Sequence, residues 1–264
     1  QPPVSLPSPS KQLGQHFLVD DNILGVIGRL AELQSDDVVL EIGPGPGALT
    51  AYLADRVARV HAVELDERLR AFLEGRFADR PNVELRFADA LALDAADLDP
   101  QPTKLVSNLP YNIATPIVVE SLDRFPTIRQ WTVMVQREVA DRFFAQPRTK
   151  AYGSVSVLVQ LAAERTGFHP VSRTVFRPPP NVDSALVAFR RVSRPPDVPW
   201  PSLKGVVEAA FAHRRKRLPN SLELTGLVNR DEAAEALATL GRPPTTRAEE
   251  LAPEEFVALA AALG

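Results

Sequence analysis

The residue types most able to do chemistry in this chain stand at the ends of short segments that predict β-strands. Four features share this placement: the glycine-rich turn 43–47, Glu64, Asp89 and Asn108. Apolar runs of four to eight residues predict buried strands. Ligands of open α/β sheets bind outside the carboxyl ends of such strands. We therefore expect these four features to meet at one binding site.

The first feature is the segment Glu41-Ile-Gly-Pro-Gly-Pro-Gly47. Glycines let the backbone turn sharply and approach a ligand closely. Dinucleotide sites use the spacing G-x-G-x-x-G, whereas the spacing here is G-x-G-x-G, which suits a nucleoside without a pyrophosphate. Gly43 and Gly45 are thus candidate cofactor-binding residues. A plain tight turn after a strand is the alternative interpretation.

Glu64 and Asp89 end the next two predicted strands. A carboxylate about 20 residues after the first glycine can accept both ribose hydroxyls of a nucleoside. Asp89 can accept a hydrogen bond from an adenine amino group. Either side chain taken alone could equally be a solvated loop carboxylate, but the three features together predict a nucleoside site.

Asn108-Leu109-Pro110-Tyr111 follows the fourth predicted strand. The exocyclic nitrogen of adenine is a poor nucleophile because its lone pair is delocalised into the ring. Two acceptors on its hydrogens favour a tetrahedral nitrogen, and the Asn108 amide oxygen and the Leu109 carbonyl can supply them. Pro110 stiffens the turn, and Tyr111 can stack on an extruded base. A β-turn with a core tyrosine is the alternative.

These residues predict methyl transfer from S-adenosylmethionine to an adenine amino group. The sulfonium methyl group is already activated, so positioning supplies most of the catalysis. No acid–base histidine or cysteine is then required. The chain has no cysteine and four scattered histidines, so we expect no metal site.

The rest of the chain predicts the elements that position this site. Strands are expected at 38–42, 59–65, 82–87, 104–107 and 131–136, and helices at 20–33, 48–58, 67–76, 113–122, 137–145 and 154–163. Alternation of this kind predicts a doubly wound, mostly parallel α/β sheet of Rossmann-like type. A late strand at 184–190 is expected to pair antiparallel at the sheet edge, and residues 1–19 to form an extended arm.

A change in composition marks the predicted domain boundary. The proline-rich segment Arg194-Pro-Pro-Asp-Val-Pro199 separates a catalytic domain, 1–193, from a small all-helical domain, 194–264. Helices are expected in the second domain at 203–213, 231–240 and 253–262. Pro253 and the two glutamates after it form a good helix start.

Two further segments are candidates for substrate contacts. The rigid run after Phe176, through Pro178-Pro-Pro to Ser184, can hold that ring at a pocket rim as a second stacking partner, or it can be a connector with a core phenylalanine. The contiguous basic residues 213–217, which include Arg214, Arg215 and Lys216, can clamp RNA phosphates or form a solvated helix end.

The composition of the chain says more about where the protein is located than about which molecules it binds. The formal net charge is −3, which disfavours bulk electrostatic binding of nucleic acid but leaves local patches available. No apolar run approaches the length of a membrane span, and residues 1–10 lack the apolar segment of a signal peptide. We expect a cytoplasmic monomer without a membrane partner.

The chain resembles the ribosomal RNA adenine dimethyltransferases, in particular the small-subunit (16S) branch of bacteria. The resemblance runs from about Gly14 to Leu263. It rests on ordered motifs: Gly14-Gln-His-Phe-Leu18, Glu41–Gly47, Asn108-Leu-Pro-Tyr-Asn-Ile113, Gln136-Arg-Glu-Val-Ala140, Tyr152-Gly-Ser154, Phe176–Ser184, Phe211-Ala-His-Arg-Arg-Lys216 and Asn220-Ser-Leu222.

The resemblance implies dimethylation of two adjacent adenosines in a 3′-terminal hairpin of 16S rRNA, late in small-subunit assembly. It implies that the small subunit or its precursor is the partner. It also implies cofactor contacts from His16 and Leu18 in addition to Gly43, Glu64 and Asp89. For Asn108 it implies a catalytic role next to the cofactor, so Asn108 is counted among the cofactor-binding candidates as well. Arg217 and Pro219 depart from the family pattern, which leaves the local helix geometry open.

Three other functions remain open at this point. The nearest is a 23S adenine methyltransferase of the same fold, of the kind that confers macrolide resistance. A non-catalytic assembly factor on this scaffold should have lost Glu64, Asp89 or Asn108, all of which are present. A DNA adenine methyltransferase shares the chemistry, but the chain has no obvious base-reading segment.

Overall fold

The computed structural model describes residues 4–193 and 196–264. Its strands are β1 (Phe17–Leu18), β2 (Val38–Ile42), β3 (Arg59–Glu64), β4 (Val83–Phe87), β5 (Lys104–Asn108), β6 (Gln130–Gln136), β7 (Ala163–Val171), β8 (Phe176–Arg177) and β9 (Ser184–Arg191). Its α-helices are α1 (Asp21–Leu30), α2 (Ala48–Ala54), α3 (Arg70–Arg76), α4 (Ala114–Arg124), α5 (Arg137–Phe143), α6 (Ser154–Ala162), α7 (Trp200–Ala212), α8 (Leu218–Leu224), α9 (Arg230–Thr239) and α10 (Pro253–Leu263).

A seven-stranded sheet in the order β4-β3-β2-β5-β6-β9-β7 forms the framework of the site. The pairs from β4 to β6 are parallel, and β9 runs antiparallel to β6. All five residues of β2 are buried, as expected for a parallel strand covered by helices on both faces. The predicted α/β Rossmann-like sheet is confirmed.

The apolar core explains why these segments become helices and strands. Ile23, Leu24 and Ile27 form the buried face of α1 and join a cluster that includes Leu53, from α2, and Val60, from β3. Burying this shared apolar surface is the main driving force that fixes the helices on the sheet.

The structure corrects four details of the sequence interpretation. The late strand β9 is not the edge strand, because β7 lies beyond it. The sequence analysis missed β7, and it also missed the two-stranded sheet of β1 and β8. Helix α8 was not predicted either, because the departures at Arg217 and Pro219 left the local helix geometry open. Pro219 instead occupies the first turn of α8, where its missing N–H costs no hydrogen bond.

Contacts divide the chain into two compact units, 1–140 with 165–191 and 141–164 with 192–264. The predicted boundary at 193/194 differs in assigning 141–164 to the first domain. In the structure α6 packs against α7 and α10, which explains its place in the second unit. Arg194 and Pro195, at the predicted boundary, lie outside the described residues.

The second unit has an apolar, aromatic centre. The Tyr152 hydroxyl donates a hydrogen bond to the Leu251 carbonyl at 2.6 Å. The Tyr152 ring meets Phe211 edge-on at 5.9 Å, and Phe211 contacts Phe256 at 5.6 Å. Among residues 4–193 and 196–264, no helix has both the length and the hydropathy needed to cross a membrane.

Candidate active site

An open cleft lies at the carboxyl ends of β2, β3, β4 and β5. Its lining contains every residue that the sequence analysis assigned to cofactor binding: His16, Leu18, Gly43, Gly45, Glu64, Asp89 and Asn108. Leu109, Pro110 and Tyr111 line the same cleft. The first unit alone supplies all of them.

The turn after β2 has a conformation that requires glycine. Gly43, Gly45 and Gly47 have φ values of 71°, 56° and 90°, in the left-handed region that side-chain-bearing residues avoid. A Cβ atom on Gly43 would lie 3.0 Å from the ring of Pro110, and one on Gly45 would lie 3.2 Å from Phe17. A side chain at either position would therefore be strained by the backbone conformation and would crowd its neighbour.

Glu64 ends β3 and is only 5% exposed. Its Oε2 accepts the Gly45 N–H at 3.1 Å, and its Oε1 accepts the Asp66 N–H at 2.9 Å. Burial raises the pKa of this carboxyl group, and the two backbone donors partly oppose that effect. Each oxygen keeps further acceptor capacity, which a ribose hydroxyl can use.

Glu41, inside β2, also lines the cleft, and the sequence analysis did not assign it a role. It is 2% exposed, and the Thr50 hydroxyl donates a hydrogen bond to its Oε2 at 2.6 Å. Burial raises its pKa from 4.5 to about 8. The available signal was a glutamate among the apolar residues of a buried strand directly before the glycine turn.

Asp89 follows β4 and begins a short 3₁₀ helix, Ala90–Ala92. One of its carboxylate oxygens accepts the Leu91 N–H at 2.9 Å, which fixes the side chain at the rim of the cleft. Apolar residues line the cleft beside Asp89 and Glu64, including Leu65, which is 55% exposed. The sequence analysis missed this apolar surface, although it directly adjoins the two predicted acids.

Asn108 is held with its amide oxygen available. Its Nδ2 donates to the His16 carbonyl at 3.4 Å, so the opposite side of the amide carries the acceptor. The Leu109 N–H donates to the Met134 carbonyl at 3.1 Å. Within the described ranges, no group donates to the carbonyl of Leu109. The Asn108 amide oxygen and the Leu109 carbonyl are therefore two candidate acceptors in this turn.

Tyr111 completes this turn and is partly buried. Its hydroxyl lies 2.7 Å from the Ser184 hydroxyl, and its ring centroid lies 5.3 Å from that of His16. Burial raises the pKa of the phenol. The ring is a candidate stacking surface for a base.

The N-terminal arm reaches the cleft through the small sheet that the sequence analysis missed. Phe17 and Leu18 pair antiparallel with Arg177 and Phe176. The Gln15 side chain donates to Asp66 Oδ2 at 2.9 Å. These contacts hold the segment that carries His16 and Leu18 beside the turn after β3.

The structure places Phe176 in the core and not at the pocket rim. Its side chain is 1% exposed, it packs in the apolar cluster with Leu18 and Met134, and it is absent from the cleft lining. The expected stacking role is therefore wrong for this conformation. Pairing of β8 with β1 buries the ring, which is the core alternative that the motif left open.

The basic residues 213–217 fall in the turn between α7 and α8 in the second unit. Arg214 donates to Glu249 and to the carbonyls of Thr149 and Lys150, at 3.0–3.2 Å, so its guanidinium joins three segments of that unit. Arg215 and Lys216 are exposed. Within the described chain, neither of their side chains has a hydrogen bond or an ion pair.

The lining fits a nucleoside cofactor by its donors and acceptors. Glu64 offers a buried carboxylate for ribose hydroxyls, Asp89 offers an acceptor for an amino group, and apolar residues between them suit a flat base. The glycine turn supplies backbone at close range. This combination matches S-adenosylmethionine.

Comparison with known proteins gives related sequences over nearly the whole chain. A family model described as "Ribosomal RNA adenine dimethylase" matches residues 8–262. The Ribosomal RNA small subunit methyltransferase A of Rubrobacter xylanophilus is 49% identical over 254 residues, which cover 96% of this chain and 94% of that protein. The protein of the same name from Thermobifida fusca is 43% identical, with 96% of this chain and 89% of that protein covered.

Solved structures show the same fold. A dimethyladenosine transferase from Plasmodium falciparum superposes with a TM-score of 0.77 at 24% identity, covering 92% of this chain and 96% of that chain. The 23S rRNA methyltransferase ErmE superposes with a TM-score of 0.65 at 32% identity, covering 94% of this chain and 99% of that chain. The Rossmann-like sheet with a helical C-terminal part is thus the methyltransferase fold.

Proposed function

Because the chain belongs to the ribosomal RNA adenine dimethylase family, and is therefore an S-adenosylmethionine-dependent enzyme, we propose that it dimethylates the N6 atoms of two adjacent adenosines in a 3′-terminal hairpin of 16S rRNA. The observation that carries this proposal is the cleft in which Glu64, Asp89 and Asn108 meet. The first two suit the cofactor, and the third suits an adenine amino group.

The choice of the small-subunit RNA is supported by the relatives. The relatives from Rubrobacter xylanophilus and Thermobifida fusca, at 49% and 43% identity, are both named small-subunit methyltransferases. The 23S rRNA methyltransferase ErmE is less similar to this chain, at 32% identity. The sequence motifs favour the same choice through Asn108-Leu-Pro-Tyr111 and the three prolines that begin at Pro178.

Several residues of this chain would hold the cofactor. Glu64 would accept hydrogen bonds from the ribose hydroxyls, Asp89 would accept one from the adenine amino group, and Gly43 and Gly45 would present backbone at positions where a side chain is strained. His16 and Leu18 border the same space from the arm. The bound S-adenosylmethionine supplies an electrophilic methyl group.

Asn108 and Leu109 prepare the nucleophile. The target amino group donates one hydrogen bond to the Asn108 amide oxygen and one to the Leu109 carbonyl. Both acceptors are fixed before the substrate arrives, by the bonds to the His16 and Met134 carbonyls. Acceptors positioned in this way cost little reorganisation in the transition state and direct the nitrogen lone pair toward the methyl group. Pro110 keeps the turn rigid.

Tyr111 stacks on the extruded adenine in this proposal. The His16 ring is its aromatic neighbour, with the two ring centroids 5.3 Å apart. A base–aromatic stack is worth roughly 1–3 kcal/mol, enough to offset part of the cost of unstacking the target nucleotide.

The C-terminal residues 194–264 are proposed to bind RNA, and residues 1–193 to carry the catalytic site. Arg215 and Lys216 are the proposed phosphate contacts, because both are exposed and have no competing partners in the described chain. Arg214 has structural partners in the same unit, so we assign it to holding this turn in place. We further propose that the enzyme acts as a cytoplasmic monomer during small-subunit biogenesis.

The test is transfer of a tritiated methyl group from S-adenosylmethionine to unmethylated 30S subunits, with 50S subunits and duplex DNA in parallel. We expect label only on the 30S subunit, recovered as N6,N6-dimethyladenosine. Label on 23S rRNA would replace the small-subunit proposal with the large-subunit one. Absence of transfer to any RNA, with the cofactor bound, would contradict the proposed activity.

A further inference from the structure

The loop that carries the three prolines has no role in the function described so far. It begins after Phe176, which is a core residue, and ends at Ser184, the first residue of β9. Ser184 is 1% exposed and pairs with Gln136 of β6 in the antiparallel ladder. Its backbone is therefore fixed by the sheet, and its hydroxyl stands at a defined place.

The Ser184 hydroxyl contacts Tyr111, the residue that we propose to stack on the target adenine. Ser184 Oγ lies 2.7 Å from the Tyr111 hydroxyl, at hydrogen-bond distance. Tyr111 follows β5, whereas Ser184 begins β9, so the contact joins two non-neighbouring strands of the sheet. A serine at the end of a rigid loop thus restrains the tip of the ring that we propose to stack on adenine.

The same loop restrains the ring from a second direction. His16 Nδ1 lies 2.8 Å from the carbonyl of Pro178, and the His16 ring meets Tyr111 at 5.3 Å with an interplanar angle of 31°. The loop therefore contacts the Tyr111 hydroxyl directly and reaches the Tyr111 ring indirectly, through His16. The proline run limits the freedom of the loop between these two contacts.

We propose that Ser184 is a positioning residue for methyl transfer, which fixes the plane of Tyr111 so that the stacked adenine presents its amino group to Asn108 and Leu109. This inference rests on the proposed function. A stacked base lies roughly parallel to the ring that it stacks on, so the orientation of Tyr111 sets the orientation of the adenine. Small errors in the orientation of a reacting group lower the rate of the chemical step. Cofactor binding does not pass through Ser184.

The experiment compares Ser184→Ala, Tyr111→Phe and the double variant on unmethylated 30S subunits. Each single change removes one of the two hydroxyl groups, and with it the hydrogen bond between residues 111 and 184, but leaves the aromatic ring in place. We expect kcat to fall about fivefold to tenfold in each single variant, the range that the loss of one neutral hydrogen bond gives. The double variant should be no slower than the slower single variant, because both changes remove the same interaction.

The Kd for S-adenosylmethionine and the KM for 30S subunits should stay near the wild-type values, because the cofactor side of the cleft and the exposed phosphate contacts are unchanged. Ser121→Ala is the matched control. Ser121 is 2% exposed and its hydroxyl accepts the Trp131 Nε1–H at 2.9 Å, but it does not line the cleft. This control reports the effect of removing any buried serine bonded to an aromatic side chain, and its kcat should match wild type.

Three outcomes would overturn the inference: a kcat within about twofold of wild type in Ser184→Ala, additive losses in the double variant, or an equal loss in Ser121→Ala. Failure of the proposed function has a different signature. In that case the wild-type protein itself transfers no methyl group to 30S subunits, whereas failure of the positioning role leaves wild-type transfer intact.

Discussion

Glu41 couples the stability of the cleft to pH, and the size of this coupling can be measured. The carboxyl group lies inside β2, is 2% exposed, and has a pKa of about 8 against an ordinary value of 4.5. Burial is the main cause of this rise, the hydrogen bond from Thr50 opposes it, and Glu64 adds to it. The perturbation is Glu41→Gln, which keeps the shape of the side chain and removes its titration.

The sign of the effect follows from proton binding. Because the pKa of Glu41 is higher in the folded state, the folded state holds more protons than the unfolded state between pH 4.5 and about 8. The stabilising contribution is complete below pH 4.5 and is lost as the pH rises through about 8. The slope is about 1.4 kcal/mol per pH unit within this window, so the total has an upper limit of about 5 kcal/mol.

The assay is urea unfolding of wild type and Glu41→Gln at several pH values from 4.5 to 8.5. We expect the free energy of unfolding of the variant, minus that of wild type, to increase by about 2–3 kcal/mol between pH 5.5 and 7.5. Glu208→Gln, which removes a carboxylate that is 53% exposed on α7, is the control for losing one acidic group.

Thr50→Val gives an independent check, because it should raise the pKa of Glu41 further, whereas Glu41→Gln removes the titration. The Thr50 hydroxyl lowers the pKa of Glu41, so its removal should extend the loss of stability to higher pH. A pH-independent difference between Glu41→Gln and wild type would refute the reasoning, because it would mean that Glu41 titrates alike in the folded and unfolded states.

Three further predictions concern the proposed activity. Asn108→Ala should lower kcat about 100-fold or more while isothermal titration shows nearly unchanged affinity for S-adenosylmethionine; unchanged turnover would remove Asn108 from catalysis. Glu64→Ala should weaken cofactor binding at least about tenfold, since a buried acceptor is lost, and normal affinity by the same titration would exclude Glu64 from the cofactor site. Replacing Arg215 and Lys216 by Ala should flatten the dependence of log K for 30S binding on log salt by about 1–2. An unchanged slope in filter binding would show that these two side chains contact no phosphate.

The helices and strands predicted best were those whose own residues carry a periodic apolar pattern and a clear start or stop signal. Strand β2 was predicted with the observed bounds, Val38–Ile42, because five residues of a buried strand precede an unmistakable glycine turn. Helix α10 began as predicted at Pro253, because a proline followed by two acids is a local start signal. Such signals can be recognised in the sequence without knowledge of the segments that pack against the element.

The elements missed were those that exist only through a partner. Strands β1 and β8 have two residues each and are strands because they pair with one another. Strand β7 has mostly exposed or half-buried residues, including Glu164 and Arg165, so it lacks the apolar pattern that marks a strand. Helix α8 was missed for a different reason: Pro219 reads as a breaker until its place in the first turn is known.

The sequence alone determined the chemical inventory of the site. A glycine turn, two acids and Asn108 each follow a strand of a parallel sheet, and the geometry of such sheets places strand ends together. Residue type and order were sufficient because each of these side chains is positioned by its own strand.

Only the tertiary structure decided what surrounds them. Long-range contacts that no local pattern encodes bury Phe176 under β1, give Arg214 three partners, and bring Ser184 to Tyr111. The same holds for Glu41, whose raised pKa comes from burial among its neighbours and not from its own chemistry. Residue identity sets what a group can do, whereas burial and partners, which arise only on folding, set which of those options it uses.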